Sequence, residues 1–307
     1  MTNTMRTHSS KPLVVMLCND SGRRFRESIG EEIREHKLPV SEGELRDMLD
    51  KELGGLMEKP KLMVPIGPIP VLVHSMRSFT WQQHSNFMFL TTEPNAPLQQ
   101  YLSTGEFAGT GKEFINQEAG KPTLDVLMGI KDRLGGHCII AMPDVLSDTD
   151  ANQLMRVHVA QGNDVTAAVL GDKAVTFAGV AALKTSSLTP ELIEGIERGA
   201  AGHESSVVQS PNSSLLKLLR SGRTARCQCA SHAQRMSNAE DLINLRLMWV
   251  RGDAFWPGAY SSLPSKPDGP DQFPLRLSPH DLMAKLGDDA RRLGVPYEYK
   301  NLRRTTQ

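Results

Sequence analysis

Val14-Val15-Met16-Leu17-Cys18-Asn19-Asp20-Ser21-Gly22-Arg23-Arg24-Phe25 is an apolar run that breaks into a polar, arginine-bearing loop. A short continuous apolar run closed by turn residues reads as a strand buried on both faces. In doubly wound sheets, ligands bind outside the carboxyl ends of the strands, so this loop is the first place to look for chemistry. Ser21-Gly22-Arg23-Arg24 offers backbone N–H groups, one glycine and two guanidinium groups that can grip phosphate bidentately. Solvated arginines after a strand are the plain alternative.

Outward from this stretch, strand-like and helix-like segments alternate. Strands are expected at Leu13 to Leu17, Phe87 to Leu90, Glu113 to Asn116, Cys138 to Met142, Val165 to Leu170 and Val175 to Leu183. Helices are expected over Ile69 to Gln82, Ala96 to Leu102 and Thr123 to Leu134. Another should run from a cap at Ser147, with Asp148 and Asp150 in its first turn, to Ala160, with Gly162 closing it. Thr189-Pro190-Glu191 opens a further helix. This order implies an α/β fold: a mostly parallel sheet with helices on both faces.

The 307 residues suffice for one large domain or two small ones, and carry no net formal charge. No basic excess marks a nucleic-acid partner. No run of about 20 apolar residues exists to span a membrane. Met1 to Lys11 is polar and lacks the apolar core of a signal peptide. Cys227 and Cys229 share one strand face, where a disulfide would be strained, and no second pair completes a zinc site. The four cysteines are expected to be reduced thiols, and a cytoplasmic location is expected from them.

Two regions interrupt the alternation. Residues 26–58 are charged and carry a capping box at Ser41-Glu42-Gly43-Glu44, with Leu45, Met48, Leu49 and Leu53 along one face. Gly252 to Phe273 is rich in Pro, Gly and Ser and reads as a linker before a last helix capped by Ser278. The expected division is a domain over 12–250, with 26–58 as an insert, and a linker with a helical extension over 251–307.

Downstream, Lys59-Pro60-Lys61-Leu62-Met63-Val64-Pro65-Ile66-Gly67 precedes Pro70-Val71-Leu72. With the opening loop, this resembles the sugar-1-phosphate nucleotidyltransferases, whose pattern is L-A-x-G-x-G-T-R and then P-K-x-L-x-P-I. The match is nearest the glucose-1-phosphate thymidylyltransferase type. Phe114-Ile115-Asn116-Gln117 resembles the family strand that ends in a base-reading glutamine, and Gly120-Lys121-Pro122-Thr123-Leu124 its second base-contacting loop. Ile139-Ile140-Ala141-Met142-Pro143-Asp144 is similar to the strand ending in a magnesium-holding aspartate. Gly162 to Val169 resembles G-A-D-V-T, and Phe177-Ala178-Gly179-Val180 resembles A-G-I-Y. Ser214 to Arg223 and Ser237 to Leu242 resemble the last helix-strand-helix, so that the likeness spans about residues 13 to 250.

The resemblance implies a three-layer α/β/α nucleotidyltransferase fold. It also implies attack of a sugar-1-phosphate on the α-phosphorus of a nucleoside triphosphate, with release of pyrophosphate. On it, Arg24 would stabilise the leaving phosphates and Lys61 would hold the α-phosphate or the sugar phosphate. Asp144 would coordinate Mg²⁺, and Gln117 would bond the base edge. Cys18, Asn19, Ser21, Gly22 and Pro122 would line the nucleotide.

The chain departs from the family pattern in four places. Asp20 replaces a loop glycine; a carboxylate ~4 Å from a phosphate costs roughly 4 kcal/mol at an effective dielectric of 20, unless Arg23, Arg24 or a metal offsets it. Arg235 aligns with the second metal-binding aspartate. The sugar-binding E-K-P segment is missing after Val169. The connection from Arg24 to Lys61 is far longer than the family's, and offers a lid, a homo-oligomer contact or a partner surface. Gly109-Thr110-Gly111-Lys112-Glu113 is no P-loop, because the glycine spacing is wrong and Glu113 stands where a hydroxyl belongs. Two functions stay open: a working nucleotidyltransferase, and a degenerate nucleotide- or nucleotide-sugar-binding subunit without turnover.

Overall fold

The structure is a computed structural model. It describes residues 11–19, 25, 60–66, 69–92, 96–103, 110–118, 120–170, 176–200, 212–220, 224–238, 241–242 and 244–245. The insert 26–58 with its capping box and the segment 251–307 lie outside the described residues. The chain divides into two compact units, one of residues 1–21 and 75–233, the other of residues 22–74 and 234–307.

The first unit holds a seven-stranded sheet. Its strands are β1 (Leu13–Cys18), β4 (Asn86–Thr91), β5 (Gly111–Asn116), β6 (His137–Ala141), β8 (Val165–Leu170), β9 (Thr176–Lys184) and β10 (Thr224–Ala230). The order is β10-β8-β9-β6-β1-β4-β5. Strand β1 runs parallel to both neighbours, with Val15 opposite Met88 on one side and Ile140 on the other. Strands β4 and β5 are parallel, as are β8 and β10. Only β9 runs against the rest, antiparallel to β6 and β8. The sheet is thus mostly parallel, as expected. Gly111 and Lys112 begin β5, which removes any phosphate-loop geometry from that glycine pair.

Period-2 alternation sends each strand's side chains to two faces. On one face Val15, Leu17, Met88, Leu90, Cys138, Ile140, Val165, Ala167 and Val169 join a single apolar core. Helices cover it: α3 (Thr123–Gly129) contributes Leu124 and Leu127, α5 (Pro190–Ala200) Ile193, and α6 (Ser213–Arg220) Leu215 and Leu218. Thr166, between Val165 and Ala167, points to the other face. There it meets His158 of α4 (Ala151–Gln161) at 3.0 Å. The described residues also include helices α1 (Val71–Thr80) and α2 (Ala96–Ser103). Layers on both faces explain why β1 is apolar without alternation.

The helix after β6 differs from expectation. Ser147 is not its cap; it closes the short strand β7 (Val145–Ser147), and its hydroxyl meets Thr149 at 2.9 Å. Asp150 is the cap, accepting from the Gln153 N–H at 2.8 Å. Asp148 is not in the helix either. Its carboxylate accepts from the backbone N–H groups of Ser231 and His232, just past β10. Gly162 ends α4 in the left-handed conformation, as expected.

The second unit includes a turn of 3₁₀-helix at Lys61–Met63 and two short antiparallel strands, β2 (Pro65–Ile66) and β3 (Ile69–Pro70). Ile69 and Pro70 are therefore extended, and α1 starts two residues later than the apolar pattern suggests. His74 closes the ribbon, its Nε2 2.9 Å from the Ile66 carbonyl oxygen. Beyond β10, Ala233–Arg235 forms the short strand β11.

Candidate functional site

From β1 the chain moves to β4 and β5 on one side, and then returns to β6 on the other. The reversal makes the carboxyl ends of β1 and β6 a topological switch point, where open α/β sheets leave a crevice for ligands. Cys18 and Asn19 stand at the end of β1; Asp144 stands in the turn after β6, which the Val145 N–H closes on the Met142 carbonyl at 3.0 Å. All three are buried. Burial first, and then the negative charge of Asp144, push the Cys18 thiol far above the usual thiol range. That shared field is the electrostatic mark of two adjacent strand ends.

Gly179 of β9 holds the Asp144 turn from the side. Its carbonyl accepts the Met142 N–H at 2.8 Å. Its φ is +79°, and a Cβ there would lie 2.5 Å from the Cβ of Val145. Only glycine permits both the backbone angle and the close approach.

Two strands across from Asn19, Gln117 directly follows the end of β5. Their side chains meet. The two N–H groups of Asn19 Nδ2 are shared among three acceptors, Gln117 Oε1 at 2.8 Å, Thr123 Oγ1 at 2.8 Å and Asn212 Oδ1 at 3.0 Å. Asn212 returns a bond from its Nδ2 to Asn19 Oδ1 at 2.9 Å, and Thr123 donates to Asn212 Oδ1 at 2.7 Å. Gln117 donates its Nε2 to the Lys121 carbonyl at 2.5 Å. Gln117 is 1% exposed, Asn19 2%, Thr123 0% and Asn212 9%, so these amides are spent on each other rather than on water. Leaving one buried partner unsatisfied costs about 1–3 kcal/mol, which makes the cluster a strong local constraint.

Of the expected site residues, the fold brings Cys18, Asn19, Gln117 and Asp144 to neighbouring strand ends of the first unit. Pro122 caps the start of α3, half-buried. Lys61 is buried in the 3₁₀ turn of the second unit, where Arg235 also lies, exposed. Ser21, Gly22 and Arg24, with Asp20, lie outside the described residues. Thr123 and Asn212 are site residues that the sequence did not single out. Asn212-Ser213-Ser214 before an apolar run reads as an ordinary helix cap, and nothing local shows that its amide turns to Asn19.

Among the described residues, no group of three or more His, Cys, Asp or Glu side chains could hold a metal ion. None of their helices is long and apolar enough to cross a membrane. All four cysteines are free, and Cys227 and Cys229 are buried on β10 with Gln228 exposed between them, as the strand period requires.

No protein-family model and no curated protein sequence matches the chain. Solved structures do match. HddC from Yersinia pseudotuberculosis complexed with GMP-PN has a TM-score of 0.53 at 12% identity, over 78% of this chain and 99% of that one. UDP-glucose pyrophosphorylase complexed with UDP-glucose has a TM-score of 0.52 at 12% identity, over 78% of this chain and 99% of that one. A candidate glucose-1-phosphate thymidylyltransferase from Bacillus anthracis, in complex with a sucrose, has a TM-score of 0.50 at 10% identity, over 77% of this chain and 94% of that one. The mostly parallel sheet with one reversed strand, the switch point beside β1 and these likenesses together give the chain the fold of the sugar-1-phosphate nucleotidyltransferases.

Proposed function

We propose that the chain transfers a nucleoside monophosphate from a nucleoside triphosphate to a sugar-1-phosphate and releases pyrophosphate. The observation that supports this most is the buried Asp144 carboxylate beside the end of β1, at the switch point of this fold. HddC with GMP-PN and the pyrophosphorylase with UDP-glucose share the fold, which points to a nucleotide as the ligand class.

The reaction is an in-line displacement at phosphorus, which needs alignment and charge neutralisation more than a protein base. Arg24 neutralises the leaving phosphates bidentately, and Lys61 holds the α-phosphate or the sugar phosphate. Asp144 would hold Mg²⁺, which when bound would draw charge off the phosphate oxygens. A single carboxylate suits a Mg²⁺ that is bound chiefly by its substrate. Burial keeps Asp144 out of bulk water and so strengthens its hold on a cation.

Arg235 favours a second reading, a nucleotide-binding subunit without turnover, because it puts a cation where the family pattern has a metal-binding aspartate. One experiment separates the two. The purified chain is incubated with Mg²⁺, each nucleoside triphosphate and a panel of sugar-1-phosphates, and pyrophosphate is measured. Release that Asp144→Asn abolishes supports the enzyme. Nucleotide binding by calorimetry without release supports the second reading. No binding of any nucleotide rejects both.

A further inference from the structure

The expected role of Gln117 is to present its amide to a base. Its surroundings argue for a different one. The Lys121 carbonyl only accepts, so the nitrogen end of the amide must face it, as the 2.5 Å bond shows. The oxygen end then faces Asn19, which must offer a donor, as it does at 2.8 Å. Asn19 in turn needs a donor for its own oxygen, and Asn212 supplies it at 2.9 Å. Thr123 fixes the Asn212 oxygen from the other side at 2.7 Å. Each polarity follows from the one before, starting from a carbonyl that cannot be reversed.

What this chain of bonds grips is the turn after β5. Lys121 returns its N–H to the Glu118 carbonyl at 3.1 Å, and Gly120 sits at φ +80° with open space where a side chain would project. Glu118, Gly120 and Lys121 are exposed, whereas Gln117 is sealed beneath them.

We infer that Gln117 is a positioning residue: with Asn19, Thr123 and Asn212 it braces the Glu118–Lys121 turn from below, and the base of a bound nucleotide meets the turn rather than the Gln117 amide. This deepens the proposed nucleotide site and rests on it. Asn212 comes from a segment 193 residues away from Asn19, so the start of α6 becomes part of the nucleotide site without touching the ligand.

The test is calorimetric titration of the full chain with ATP, GTP, CTP, UTP and dTTP, for the wild type, Gln117→Leu, Asn212→Leu and the double variant. A brace predicts that each single variant weakens every nucleotide by a similar factor, about tenfold for one lost buried bond, and leaves the order of preference intact. The double variant should then be little worse than either single one. If Gln117→Leu reorders the preference while Asn212→Leu does not, Gln117 reads the base and the inference falls.

A second measurement needs no variant, and its exchange arm needs no nucleotide. The Gln117 side-chain amide protons of the wild type, followed by NMR, should exchange slowly with solvent, and saturating nucleotide should not shift them when it binds. Fast exchange, or a large shift on binding, overturns the brace. If the wild type binds no nucleotide, the proposed function fails by calorimetry, and the brace of the turn is still decided by exchange: slow supports it, fast rejects it.

Discussion

Replacing Gly179 with alanine tests the support of the Asp144 turn directly. The new Cβ would meet Val145 Cβ at 2.5 Å, Cγ1 at 2.8 Å and Cγ2 at 3.2 Å, where contacts of about 3.5–4.0 Å are normal. The nearest of these atoms is fixed to the β7 backbone, so rotating the valine side chain does not relieve the overlap. A left-handed angle costs an L-residue roughly 1–2 kcal/mol. Overpacking of this kind adds about 1–3 kcal/mol, for a combined loss of about 2–5 kcal/mol. Urea unfolding followed by far-UV circular dichroism measures it, with an unchanged slope confirming that the native state is the one affected. Measured against Val145→Gly alone, the same Gly179→Ala change should lose the steric share and keep the backbone share. Because Val145 follows Asp144 in the chain, turnover should also fall under conditions where Gly179→Ala is still folded. A loss below about 0.5 kcal/mol would refute the reasoning, since that is the scatter of featureless substitutions.

Two further predictions concern α4. His158 is sealed between α4 and the sheet, with His137 Nδ1 3.0 Å from its Nε2, Thr166 3.0 Å from its Nδ1, and Asp164 and Lys184 acting on it from further off. Burial, and then the field of His137, lower its pKa to about 4. The unfolded chain therefore takes up this proton first. Stability is full above about pH 6.5 and drains away as the pH falls toward 4, amounting to about 2 kcal/mol between pH 7 and 5. His158→Gln should reduce that pH dependence; an identical pH profile for variant and wild type would rule the histidine out. Gln82 accepts from the Ala151 N–H at 2.7 Å and the Asn152 N–H at 3.3 Å, and donates to the Thr149 carbonyl at 2.9 Å. Gln82→Ala should cost about 1–3 kcal/mol and speed amide exchange at Ala151 and Asn152; unchanged exchange would show that Asp150 alone caps the helix.

The strands were legible because they are long apolar runs between turn residues, and β1, β4, β6 and β8 fall within a residue or two of their expected ends. Reversal of β9 was not legible, since a strand buried on both faces looks the same in either direction. The start of α4 was misplaced because Ser147, Asp148 and Asp150 all have capping chemistry, and the choice among them is made by Thr149 and by Ser231 and His232, which sequence spacing does not locate. Asp144 and Gln117 are singled out by the family resemblance alone. The partners that turn Gln117 inward were missed, because Asn19 and Asn212 are brought together only by the finished sheet.

The place of β1 in the sheet also bears on how the chain can be made. Its pairs are Val14 with Phe87 and Leu13 with Cys138, so its two edges are satisfied at very different times during synthesis from the N-terminus. One edge can close when β4 emerges. The other waits for His137–Ala141, and until then a run of uncharged apolar residues offers open backbone groups to any neighbouring chain. A ribosome that stalls before Ala141 therefore holds a product in which that edge of β1 still lacks its native partner strand.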